Sequence, residues 1–76
     1  MAVRNRIVAL MGAKQAREER RISAVEVAAA AGISSQAMYK WINNEVVNFK
    51  SDTVEKLCRY FECEIGDLLY IDHSSN

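Results

Sequence analysis

Between Ser23 and Asn44 the chain starts a helix, stops it, and starts another with only three residues between the two. Ser23-Ala24-Val25-Glu26 has the S-x-x-E form of a capping box. The serine hydroxyl accepts from an orphan backbone N–H, and the glutamate is expected to reach back to the backbone of Ser23. A helix then runs through Val25 to Ala31. Its run Ala28-Ala29-Ala30-Ala31 allows another helix to approach closely. Gly32 stands where a helix end wants a left-handed residue. Ile33 fills the turn, and Ser34 is the next N-cap. The second helix spans Ser35 to about Asn43, with Met38, Trp41 and Ile42 as its apolar side. Asn43-Asn44 ends it with residues that tolerate positive φ. A three-residue turn opening on glycine lets two helices meet at a steep angle. That geometry needs a small residue at Ala28, and it sends Val27, Ile33, Met38 and Trp41 into a shared core.

The flanks read as further helices. Val3, Ile7, Leu10 and Met11 recur at i, i+4, i+7 and i+8, which predicts a helix from about Ala2 to Glu19. Arg4, Arg6, Lys14 and Arg17 decorate its other faces. Gly12 sits inside it at a cost of about 1 kcal/mol relative to alanine, and close packing is the expected reason. Val54, Leu57, Cys58 and Phe61 predict a fourth helix, with Ser51 or Asp52 as its cap. Glu45 to Lys50 reads as a loop. Ile65, Leu68, Leu69 and Ile71 predict a short fifth helix or turn. With no proline and three glycines in 76 residues, little room is left for β-turns, and the fold class expected is all-α. Residues 1–72 read as one domain and 73–76 as a polar, frayed tail.

Charge and cysteine content exclude several classes. Ten Lys/Arg meet ten Asp/Glu, so the net charge is zero and the chain is not a uniformly basic nucleic-acid binder. The charge is nevertheless polarised. Residues 1–21 hold six basic and two acidic groups, and residues 51–76 hold two basic and six acidic. A basic end of this kind is a footprint for a polyanion. No apolar run approaches a membrane span, and no secretory leader is evident. Two cysteines spaced C-x4-C without nearby histidines are neither a disulfide scaffold nor a zinc pattern. They read as core thiols, with a redox sensor as the alternative. The chain is expected to be cytoplasmic.

The sequence resembles the Cro/repressor-type helix-turn-helix domains, also called the xenobiotic-response-element family, over about residues 3–71. The central unit carries the resemblance together with Arg17-Glu18-Glu19-Arg20, Leu57-Cys58-Arg59-Tyr60-Phe61 and Cys63-Glu64-Ile65-Gly66-Asp67-Leu68-Leu69. It implies a five-helix, lambda-repressor-like DNA-binding domain whose third helix enters the major groove. Carried over by position, the base-reading residues are Ser35, Gln36, Tyr39 and Lys40. Gln36 can pair bidentately with adenine, and Lys40 can donate to guanine. Ser34, Asn43, Asn44, Lys50 and Arg17 are the expected DNA-backbone contacts, with Arg20 and Arg21 as outer candidates on charge alone. The family often has glutamine where this chain has Ala24, and a basic loop where it has Glu45-Val46-Val47. Glycine commonly stands at the positions of Arg21 and Glu62.

The implied function is a sequence-specific transcriptional regulator, a homodimeric repressor acting on double-stranded DNA. The alternative is a protein-binding module on the same fold, antitoxin-like or anti-repressor. That reading uses Val46, Val47 and Phe49 against a partner protein; the alternative for Phe49 is that it caps the core between the third and fourth helices. Leu69, Tyr70 and Ile71 are a second candidate dimer surface. No cofactor, metal or membrane partner is expected. Asp67, Asp72 and His73 form no catalytic constellation, so the chain is not expected to be an enzyme.

Overall fold

The computed structural model describes residues 2–73. The elements run β1 (Ala2–Asn5), α1 (Ile7–Glu18), α2 (Ala24–Ala31), α3 (Ser35–Ile42), α4 (Ser51–Phe61), α5 (Ile65–Leu68) and β2 (Leu69–Asp72). Five helices are present among the described residues, as expected, but the fold is not strictly all-α. The stretch read as the start of the first helix is a strand. β1 pairs antiparallel with β2, in register Val3 with Ile71 and Arg4 with Tyr70.

The reason lies in partners far along the chain. Val3 is about half exposed, so it adds nothing to the helical stripe that its spacing predicts. The segment instead finds Leu69-Tyr70-Ile71, a β-branched and aromatic run suited to pairing. Asn5 then separates strand from helix. Its side-chain Oδ1 accepts from the Ile7 N–H at 3.0 Å, and its Nδ2 donates to the Trp41 carbonyl at 2.9 Å. Its own N–H donates to Asn44 Oδ1 at 2.7 Å. Arg4 forms an ion pair with Asp72, and the Arg6 guanidinium lies over the Tyr70 ring. The tail expected at 73–76 falls outside the described residues except for His73, which is exposed.

The core gathers Ile7, Ile22, Val27, Ala28, Ala31, Met38, Trp41, Val54, Leu57, Phe61 and Leu68. Ala28 is 3% exposed, and α2 packs against both α3 and α4. That is the close approach its small side chain permits. Phe49 stands edge-on to Trp41 at 5.3 Å and so caps the core.

Four helices among the described residues end on a left-handed residue, with the N–H after it reaching back five positions. After α2, Gly32 takes φ 71°, its N–H donates to Ala29, and the Ile33 N–H donates to Ala28 at 3.0 Å. After α3 that residue is Asn44, at φ 58°, its N–H donates to Trp41, and the Glu45 N–H donates to Lys40 at 2.8 Å. After α4, Glu62 takes φ 54°, its N–H donates to Arg59, and the Cys63 N–H donates to Cys58 at 2.9 Å. After α1 the left-handed residue is Glu19, at φ 53°, and not Arg21 as its position suggested. The Arg20 N–H closes that turn on Gln15. α4 begins one residue before its expected serine or aspartate caps were needed. Lys50 holds the N-cap position without a side-chain cap, and Asp52 lies in the first turn, where its charge suits the helix dipole.

Candidate nucleic-acid interface

The turn between α2 and α3 is built as its sequence dictates. Ser23 Oγ accepts from the Glu26 N–H at 3.2 Å, and Ser34 Oγ accepts from the Ala37 N–H at 3.1 Å. On the inner side of α3, Met38 and Trp41 are buried. On the outer side, Ser35, Gln36, Tyr39 and Lys40 are all exposed. At 100° per residue these four positions fall on one arc opposite the buried pair.

The supporting contacts of this surface divide unevenly. Lys40 and Lys50 line one cleft of about 300 Å³, together with Trp41, Glu45, Val47 and Asn48. Val47 is 85% exposed, while Val46 is half-buried. Asn43 is exposed just past α3. Asn44 takes φ 58°, and its Oδ1 is engaged by Asn5, so its Nδ2 amine is the donor that remains. Arg17 is exposed in the last turn of α1 and takes no part in the cleft. Arg20 is occupied elsewhere, on Glu18 and Glu26. Asn48 was not singled out from the sequence. Its signal was a polar side chain between Val47 and Phe49, in the loop that follows the exposed helix.

A ring of charges holds α2, and therefore α3, in place. The Glu26 carboxylate does not return to Ser23 as the capping box suggested. It accepts a two-pronged pair of hydrogen bonds from Arg20, at 2.9 and 2.8 Å, and a third from the Tyr60 hydroxyl. Arg20 also binds Glu18, and Glu18 binds Lys14 at 2.6 Å. Lys14 closes the ring. Its ammonium donates to the Tyr60 carbonyl and lies 4.6 Å from the centre of the Tyr60 ring. Lys14 is buried rather than displayed on a solvated face. Hydrogen bonds from Arg20, then from Tyr60, bring the Glu26 carboxyl down to about 2. Burial first, then the bond to Glu26, pushes the Tyr60 phenol up to about 12.

The family pattern of the Cro/C1-type HTH DNA-binding domain matches residues 14–73. The chain belongs to this family. The matched span takes in the α2–α3 turn, the exposed outer face of α3 and the cleft beside it. No curated protein matches the chain. Among the described residues, no three His, Cys, Asp or Glu side chains gather where a metal ion could be held. No helix among them is long and apolar enough to cross a membrane.

Proposed function

We propose that this Cro/C1-type domain is a sequence-specific transcriptional repressor that reads the major groove with α3 as a homodimer. The observation that carries this reading is the outer face of α3. It sets Ser35, Gln36, Tyr39 and Lys40 in solvent on a helix whose other side is locked into the core. Gln36 offers the two-pronged amide that matches adenine N6 and N7, and Lys40 a donor for guanine O6 and N7. Ser35 and Tyr39 complete the base-facing surface. Ser34 and the free N–H groups at the start of α3 suit a phosphate. Lys50, Asn43, the Nδ2 of Asn44 and Arg17 are the remaining backbone contacts, to which the position of Asn48 adds one more.

Two features support a second copy. Val3 and Ile71 are paired across the sheet, and both are about half exposed. A two-stranded sheet of this size is marginal by itself and gains by being covered. A module that binds protein through residues 46–49 is less well supported, because Phe49 is engaged by Trp41.

Selection from a random duplex library at near-physiological salt tests the reading. It should enrich two half-sites related by symmetry and spaced by about one helical turn. Replacing Gln36→Ala should cost roughly 1–3 kcal/mol at one base position and relax the preference there. Equal binding of wild type and variant to every site would remove α3 from its assigned role. No enrichment at all would turn attention to a protein partner.

A further inference from the structure

Cys58 and Cys63 take no part in the surface assigned to DNA, and their placement has its own chemistry. Cys58 lies in the last turn of α4, and Cys63 follows the left-handed Glu62. The backbone bonds from Cys63 to Cys58 and from Glu62 to Arg59 define a turn that folds the second residue after the helix back over the fourth residue from its end. Those two positions ordinarily bring apolar side chains into contact, and here both are thiols. The separation such a turn imposes lies within the reach of a disulfide. Both cysteines are free and half-buried. Both line two open clefts, of about 350 and 400 Å³. A small oxidant therefore has access to them.

We propose that Cys58 and Cys63 are a redox-active dithiol that closes to an intramolecular disulfide, stapling the end of α4 to the entry of α5. The proposal does not rest on the DNA-binding reading. The oxidant it fits is a small neutral peroxide. Glu55, Glu62, Glu64 and Asp67 surround the pair, and Arg59 is already paired with Glu55. This acidic setting opposes anionic disulfides. Burial also pushes both thiols up, Cys63 to about 11, so closure is slow at neutral pH and answers sustained oxidant. In the first step one sulfur, as thiolate, attacks a peroxide oxygen. The O–O bond breaks, a sulfenic acid is formed, and the departing hydroxide takes up the proton the thiol gave up and leaves as water. The second thiol then attacks the sulfenic sulfur, loses its proton, and expels the hydroxyl as a second water. Two electrons pass from the sulfurs to the peroxide.

The test treats the full chain with hydrogen peroxide at mildly alkaline pH. Trypsin cleaves after Arg59, between the two cysteines, so the disulfide would join fragments 57–59 and 60–76. The expected result is loss of both titratable thiols from a chain that stays monomeric on non-reducing electrophoresis. The two fragments should be recovered as one species that dithiothreitol separates. The oxidised chain should keep its helical circular dichroism and melt several degrees higher, because the bridge restricts the unfolded chain. The Cys63→Ser variant, with no resolving thiol, should instead run on to higher oxidation states at Cys58. Bridges between chains, the same over-oxidation in wild type, or loss of helical structure on closure would each overturn the proposal.

Discussion

Gly12 shows how a residue's sequence context can mislead about its reason. Inside a helix, glycine suggests a neighbour too close for a side chain. In the fold, a Cβ added at Gly12 meets nothing within 4 Å, and the site is exposed. Only the backbone entropy cost is left. Gly12→Ala should therefore stabilise the protein by about 1 kcal/mol, read as a higher urea midpoint with unchanged slope. A fall in the midpoint would mean that the glycine serves a contact made only in an assembly. Glu62 is the opposite case. Its φ of 54° is a conformation that suits glycine, so Glu62→Gly should gain stability, by up to about 1 kcal/mol. The family resemblance did imply that Glu62 occupies a glycine's place. The resemblance placed the matching position after the first helix at Arg21 rather than Glu19, inside a run of five charged residues, Arg17 to Arg21, that offers no signal for where a helix stops.

At the scale of elements, local signals were legible and distant ones were not. Ser23, Gly32 and Ser34 fix the α2–α3 turn through bonds to residues within five positions, and every one of those was readable. β1 was not, because its partner lies at the far end of the chain, with Ala2 in register with Asp72 and Asn5 with Leu69. Four residues with one valine match a helical stripe as well as a strand. Glu26 followed the same rule. Its backbone N–H obeyed the capping box, but its carboxylate found Arg20 and Tyr60, which nothing in the spacing announced. The ring it joins has a pH signature. Its carboxyl is held at about 2 in the folded chain, below the usual value of 4.5. The stability it contributes is present above about pH 4.5 and is lost as pH falls toward 2. Denaturant titrations at a series of pH values across that window should show the loss in wild type. In Glu26→Gln that part of the slope should flatten. An unchanged slope in the variant would mean that other carboxylates carry the acid sensitivity.

For the whole molecule, the neutral net charge and the polarised chain fix how any DNA complex must respond to salt. The surface assigned to DNA displays few cations. Lys40 and Lys50 share the cleft beside α3 with the opposite charge of Glu45, and Arg17 lies on α1. Ser34, Gln36, Asn43, Asn44 and Asn48 bring hydrogen bonds but displace no counterions. Arg20 and Lys14 are tied into the ring with Glu18 and Glu26, and Arg4 is paired with Asp72. The proposed interface therefore neutralises about two or three phosphates per protomer. The logarithm of the binding constant should fall with the logarithm of salt at a slope of about −2 to −3 per protomer. Lys50→Ala should flatten that slope by about 1 and weaken binding evenly across sequences. Gln36→Ala should leave the slope alone and change only sequence preference. Fluorescence anisotropy on a selected duplex over a range of salt concentrations separates the two. A wild-type slope twice as steep would mean that Arg6, Arg21 or Lys56 also reach the phosphates, and the face of the molecule turned toward DNA would have to be redrawn to include them.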